Sequence, residues 1–170
     1  MNMVEDMIDR EFEKLIEEKI DLDDRIYFFG HTAGSIICAL AKSLIKSGGY
    51  GVTSTVLTRE IRKLGREDAK KIMEIFEIKQ KNPENASKVL RILATIIGLE
   101  FETRGDRALI TRCPYGQCVK EFYEPFICKV CLEYNRGVIE EVLGDNFTLD
   151  QPKWLINGDE GCQFRVKKRI

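Results

Sequence analysis

The chain has 170 residues, which is enough for one domain with its own core but too few for two full domains. Its 27 basic and 28 acidic residues nearly balance, so no excess charge recruits nucleic acid or an anionic membrane. No segment reaches the roughly 18 uninterrupted apolar residues of a membrane span, and the N-terminus is acidic where a secretory signal is basic. We therefore predict a cytoplasmic protein.

Apolar residues at helical spacing predict an amphipathic helix over residues 3–21, with a largely acidic outer side. We assign residues 1–24 to an N-terminal helical extension and residues 25–170 to the main domain. The acidic turn Asp21 to Asp24 closes the first helix, and a second helix is predicted from about Gly30 to Lys46. Because the second helix is apolar on nearly every side, we expect it to be buried.

Residues 55–80 have the pattern of one or two charged helices interrupted near Gly65. The next helix begins at Asn82 and Pro83, because asparagine is a good N-cap and proline fits the first helical position. Its apolar positions line one face, and Gly98 ends it. We expect this face to pack on a sheet.

Four segments alternate as strands do and form two hairpins, over residues 99–104, 108–113, 147–156 and 162–168. A helix from Pro125 to about Leu143 separates the two hairpins. The sequence therefore predicts an α/β (α+β) domain. Its helical N-terminal half packs on an antiparallel sheet of ββαββ type. The basic segment 165–169 is interpreted as the solvated face of the last strand.

Five cysteines lie in the last third of the chain: Cys113, Cys118, Cys128, Cys131 and Cys162. Cys128 and Cys131 lie three residues apart at a helix start, where the helix dipole favours the metal-binding thiolate. Cys162 has the same strand parity as Phe164, so it points toward the core. Since clustered cysteines in a reducing cytosol are more often metal ligands than disulfides, we predict a tetrahedral zinc site.

Other interpretations of these residues stay open. Any one cysteine of the cluster can be a small buried hydrophobe, which is our interpretation of Cys38 in its apolar helix. Cys128 and Cys131 can also form a redox switch. His31 is the single histidine, so mechanisms that need two are excluded. It is interpreted as a capping or surface group, or as a polar contact at the end of an apolar pocket.

Three motifs carry a family resemblance: Cys113-Pro114, the segment from Phe126 to Cys131, and the segment from Gly158 to Phe164. Together they resemble the vinyl-4-reductase domain family of hydrocarbon-binding proteins. They are also similar to the thiazoline-carboxylate hydrolase-like group. The resemblance spans about residues 25–170, and the C-terminal third is its specific part.

The resemblance implies an antiparallel-sheet fold akin to haem nitric-oxide-sensing domains and Golgi-transport (TRAPP) subunits, often dimeric. It also implies a small apolar ligand held between helices and sheet, with a cysteine-rich zinc site nearby. By position, Cys162 matches the last metal cysteine of the family, and Cys128 or Cys131 matches the first. Where the sensors have a glutamate and further cysteines just before the last one, this chain has Gln151 and Trp154, so the missing ligands would come from Cys113 or Cys118.

We therefore predict a binding or sensor domain for a small hydrophobic ligand, acting as a homodimer without direct nucleic-acid contact. Its structural zinc ligands are predicted to be Cys113, Cys128, Cys131 and Cys162, with Cys118 as the spare cysteine. One alternative is a cysteine-dependent hydrolase or reductase that uses Glu133 or Glu160 as its base. The other is a structural or assembly subunit. An enzyme is the less favoured of these classes.

Overall fold

A computed structural model describes residues 18–104, 107–113, 115–116, 119 and 126–169. Within these ranges the helices are α1 (Leu22–Gly48), α2 (Tyr50–Ile75), α3 (Pro83–Ile96) and α4 (Phe126–Leu143). The strands are β1 (Glu100–Arg104), β2 (Arg107–Arg112), β3 (Phe147–Lys153) and β4 (Cys162–Lys168). A short 3-10 helix, Leu155–Asn157, joins β3 to β4. The predicted helix over residues 3–21 lies almost wholly outside the described residues.

The four strands form one antiparallel sheet in the order β1-β2-β4-β3. The two hairpins meet where β2 pairs with β4, which places Ala108 opposite Phe164 and Ile110 opposite Cys162. Directly opposite residues share a sheet face, and this face packs on α3 and α4 to form the core. The predicted α+β architecture is confirmed.

Helix α1 departs from the prediction in its start and in its burial. The chain does leave the helical conformation at residues 20–21, but the second helix starts at once and not near Gly30: the Asp21 side chain caps α1 by accepting a hydrogen bond from the Asp24 backbone N–H at 2.8 Å. His31 therefore lies inside α1 and not at its start. The expected burial was also wrong, because only a narrow stripe that includes Cys38 and Ala41 is buried, while Phe29 is 73% exposed.

By length and mean hydropathy, α1 is also apolar enough to cross a membrane, a property that core helices of soluble proteins share. In this structure it packs against α2 and α4. The exposed side carries Phe28, Phe29, Ile36, Leu40 and Leu44, which we call the α1 apolar face.

Helix α2 is continuous through Gly65, so the predicted interruption was wrong. Gly65 faces α4, where an added Cβ would lie 2.1 Å from the Tyr134 carbonyl oxygen. Gly137 of α4 makes the reciprocal approach, with its Cβ position 2.0 Å from the Arg62 carbonyl oxygen. Both glycines weaken their helices by about 1 kcal/mol relative to alanine. The two glycines allow the backbones of α2 and α4 to pack closely.

Buried carboxylates of α4 complete this helix contact. Glu133 accepts a hydrogen bond from Arg62 Nε at 2.8 Å, and Glu140 accepts one from Arg66 Nη2 at 2.6 Å. Arg169, just beyond β4, also pairs with Glu140. The ion pairs therefore join α2, α4 and the end of the sheet.

Two predicted elements near the sheet can be compared directly. The start of α3 is confirmed: Asn82 accepts a hydrogen bond from the Asn85 backbone N–H at 2.9 Å, and Pro83 follows it. The third strand ends at Lys153 and not at residue 156, because the chain turns there into the 3-10 helix. This turn brings Leu155 onto the inner face of the sheet.

Candidate ligand and metal site

A small cavity of about 40 Å³ lies between α4, the sheet and the 3-10 helix. We call it the cysteine cavity. Its wall contains all four predicted metal ligands and Gln151. The rest of the wall is mostly apolar: Leu99, Ile110, Tyr115, Gly116, Val119, Ile127, Leu155, Ile156 and Phe164.

The four cysteines reach the cavity from one helix, the start of one strand and the end of another. Cys128 and Cys131 lie one helical turn apart on α4, and Cys162 begins β4 on its inner face. Cys113 directly follows β2, near the point where Ile110 pairs with Cys162. The structure thus brings together four cysteines that span 50 residues of sequence. Cys118 lies outside the described residues.

Burial disfavours ionisation of the two α4 thiols when no metal ion is bound. Burial raises the pKa of Cys128 to about 12, and the neighbouring Cys113 and Cys162 add to this rise. Burial likewise raises the pKa of Cys131 far above that of an exposed thiol. Without a metal ion, this loss of hydration opposes the thiolate that the helix dipole was expected to favour. A cysteine nucleophile would need the opposite shift.

The four cysteines supply sulfur donors, which suit zinc. Among the described residues, no group of three or more histidine, cysteine, aspartate or glutamate side chains is arranged to hold a metal ion. The donor chemistry fits zinc and the arrangement does not, so the zinc site stays a prediction.

Polar contacts inside the cavity converge on two sulfurs. The Leu155 backbone N–H donates to Cys162 Sγ at 3.3 Å, and Asn135 Nδ2 lies 3.5 Å from Cys131 Sγ. The Gln151 side chain also hydrogen-bonds to the Cys162 sulfur. Its amide oxygen, Gln151 Oε1, is buried and has no hydrogen-bond partner among the residues that the structure describes. The cavity therefore contains an unused acceptor.

Two further cavities lie next to the cysteine cavity and share wall residues with it or with each other. A middle cavity of about 30 Å³ shares Leu99, Ile110, Cys131 and Phe164 with it. An outer cavity of about 290 Å³ reaches the start of α3 and shares five residues with the middle one: Leu90, Phe101, Ala108, Leu149 and Phe164. Phe164 lines all three, so the cavities form a row with a common wall.

Two residues of this region were not assigned to a site from the sequence. Gln151 has the same strand parity as buried Leu149, so a glutamine at an inward position was the available signal. Cys38 is fully buried and packs near Cys128, although nothing in the sequence links α1 to α4. The interpretation of Cys38 as a buried hydrophobe is confirmed. His31 is not among the described residues that line these cavities.

No protein-family model matches the chain, and no curated protein matches it. Solved structures do match the chain. One is the phenol-responsive sensory domain of the transcription activator PoxR with phenol, at 14% identity and a TM-score of 0.62. The match covers 79% of this chain and 74% of that one.

A second match is trafficking protein particle complex subunit 3 from Naegleria fowleri, covalently bound to palmitic acid. It has 14% identity and a TM-score of 0.55, and it covers 82% of this chain and 96% of that one. At these identities the likenesses show a shared fold. They agree with the predicted kinship to transport-complex subunits, whereas the resemblance to the vinyl-4-reductase family stays a prediction.

Proposed function

We propose that this domain binds a small apolar molecule in the row of cavities between the sheet and helices α3 and α4. The row itself carries the proposal, because three cavities with mostly apolar walls follow one another beneath the helices. Ligand sites are typically concave, largely apolar and supplied with a few polar groups. An apolar cavity of about 150 Å³ binds benzene in another protein. The outer cavity alone, at about 290 Å³, is larger.

The two matching structures support this proposal through what their names state. One protein of this fold responds to phenol, and another holds palmitic acid. The first ligand is a compact ring and the second a long chain, so the fold accommodates apolar molecules of different shape. The neutral thiols of Cys128 and Cys131 also favour binding over cysteine-based catalysis.

The experiment is a calorimetric titration of the purified protein with phenol and with 1-octanol. We expect saturable binding of at least one of them. Ala108 lines the middle and outer cavities, so Ala108→Ile should weaken binding about tenfold or more by filling the space. Thr111→Ile is the matched control, because it adds an isoleucine to the same strand at a position of opposite parity. No binding of either compound to the wild-type protein would refute the proposal.

A sensor role requires that ligand binding reach a partner surface, and we propose that this surface is the α1 apolar face. It supports a homodimer, because large exposed apolar patches usually mark an interface. Light scattering should give the mass of two chains, and Phe29→Glu should reduce it to one. A wild-type monomer would refute the dimer. Sedimentation with lipid vesicles would instead assign the face to a membrane surface and refute its role as the dimer contact.

Structural zinc at Cys113, Cys128, Cys131 and Cys162 is a separate proposal. Its support is that these four residues share one cavity, although the described residues are not arranged to hold a metal ion in this structure. Elemental analysis should find about one zinc per chain. Cys162→Ser should abolish the zinc content, whereas Cys38→Ala should keep it. Less than half an equivalent of metal in the wild-type protein would refute this proposal without affecting the first.

A further inference from the structure

Gln151 is the polar residue of the cysteine cavity whose hydrogen bonding is incomplete. Its side chain is 7% exposed, and its amide donates to the Cys162 sulfur. Two buried side-chain nitrogen or oxygen atoms of the described residues lack a partner, Gln151 Oε1 and Arg165 Nε. Only the first belongs to a residue that lines the cavity. A buried acceptor without a donor is costly, and native proteins rarely leave one unmatched.

The surroundings of this oxygen decide which donor can meet it. None of the described residues in the cavity wall is an aspartate, glutamate, lysine or arginine. A charged organic group entering such a place would lose its hydration without meeting a carboxylate, ammonium or guanidinium side chain of these described residues. The matching donor is therefore a neutral one, such as a hydroxyl group.

The dimensions of the row decide the shape of the rest of the molecule. The cysteine cavity, at about 40 Å³, has room for a hydroxyl group and its first carbon but not for a ring, since benzene occupies a cavity of about 150 Å³. The middle cavity, at about 30 Å³, is as narrow. The outer cavity is several times larger. A slender chain fits all three.

We propose that Gln151 Oε1 accepts a hydrogen bond from the terminal hydroxyl of a neutral, slender, apolar alcohol. The hydroxyl lies in the cysteine cavity, and the chain follows Phe164 through the middle cavity toward the start of α3. This inference rests on the proposed function and names the class of its ligand. It competes with the zinc proposal, because the hydroxyl group and a zinc ion would occupy the same small cavity.

The test compares 1-octanol with its isomer 1-methoxyheptane, which has the same atoms but no hydroxyl donor. Both are titrated into the wild-type protein and into Gln151→Met, which keeps the side-chain length and removes the acceptor. We expect the preference for the alcohol to fall about tenfold in the variant, the size expected for one buried hydrogen bond. Gln163→Met is the matched control, because Gln163 has the opposite parity to Cys162 and Phe164 on β4 and should keep the preference.

The outcomes separate this inference from the proposed function. If neither compound binds the wild-type protein, the proposed function fails. If both bind and Gln151→Met leaves their affinity ratio unchanged, the function stands and the role of Gln151 is refuted, with a buried water as the partner of its oxygen.

A second measurement needs no variant and so does not depend on the folding of Gln151→Met. In the wild-type complex, the C1 protons of 1-octanol should give nuclear Overhauser contacts to the Gln151 amide and to Cys162. The terminal methyl group should contact Ala86 or Pro83 at the outer cavity. The reverse orientation would refute the inference.

Discussion

The two sides of α4 are built in opposite ways. Toward α2 the backbones touch at Gly65 and Gly137, and the carboxylates of Glu133 and Glu140 meet arginines. Toward the sheet, α4 borders cavities and a glutamine oxygen without a donor. The side toward α2 is therefore tightly packed with its buried charges paired, and the side toward the sheet has unfilled space.

The contrast indicates a division of roles within one helix. Close backbone contact and buried ion pairs have few alternative arrangements, so the α2 side holds α4 in place. The sheet side leaves space and an unused acceptor, which are the properties of a site that another molecule completes. The comparison predicts that added volume is harmful on the α2 side and tolerated on the sheet side.

Gly65→Ala should have the largest effect. Its Cβ would lie 2.1 Å from the Tyr134 carbonyl oxygen, so the two helices must separate. We expect the free energy of unfolding to fall by about 3 kcal/mol, measured by urea denaturation.

Gly51→Ala is the control for this change, because Gly51 also lies in α2 and has open space around its Cβ position. Alanine is the better helix former, so this variant should be about 0.5 kcal/mol more stable than wild type. Equal effects of the two substitutions would show that the helix contact is not tight.

Glu140→Gln should have the next largest effect, because it removes the buried charge that faces Arg62, Arg66 and Arg169. Breaking a fully buried pair costs about 3–5 kcal/mol. Arg62 and Arg66 are each 35% exposed, so water can solvate their charges after the carboxylate is removed. We therefore expect the free energy of unfolding to fall by about 2 kcal/mol.

Urea denaturation measures this loss too. Glu60→Gln, which breaks an exposed pair with Arg59, should change stability by less than about 0.5 kcal/mol. If Glu140→Gln changed stability as little, the ion pairs would not hold α4 to α2.

Ala108→Ile should have the smallest effect on stability, although it adds more volume than Gly65→Ala. The side chain enters the middle and outer cavities, where space exists, and isoleucine favours strands. We expect a change within about 1 kcal/mol in thermal or urea unfolding, together with the loss of binding described above. A loss of about 3 kcal/mol would mean that the sheet side is packed as tightly as the α2 side.

The sequence predicted the elements near the sheet better than the first helices. The N-cap at Asn82 and the strand alternation around Phe164 are local signals, and the structure confirms both. Gly65 misled the prediction because its local helix weakness is offset by packing against α4, which no local pattern records. The exposed face of α1 was missed because apolar composition does not say which neighbours a helix has.

The candidate site divides in the same way. Clustering of the cysteines and the inward parity of Cys162 were visible in the sequence, whereas the neutral state of Cys128 was not. The pKa of a thiol depends on how much water its surroundings exclude, and this follows only from the packed fold. The zinc assignment stays a prediction. The sequence shows the type of ligand, cysteine, but it does not show whether the four side chains are arranged to hold one ion.

By itself, the amino-acid sequence determined the α+β class, the two hairpins and the grouping of cysteines around the last helix, because these follow from residue periodicity and strand parity. Only the tertiary structure decided that α4 is closed toward α2 and open toward the sheet. A cavity is space that the surrounding atoms do not fill, and an unmatched acceptor is a buried oxygen that no neighbouring donor reaches. They arise when distant segments such as Gln151, Cys38 and Phe164 are brought together, and no local pattern encodes them.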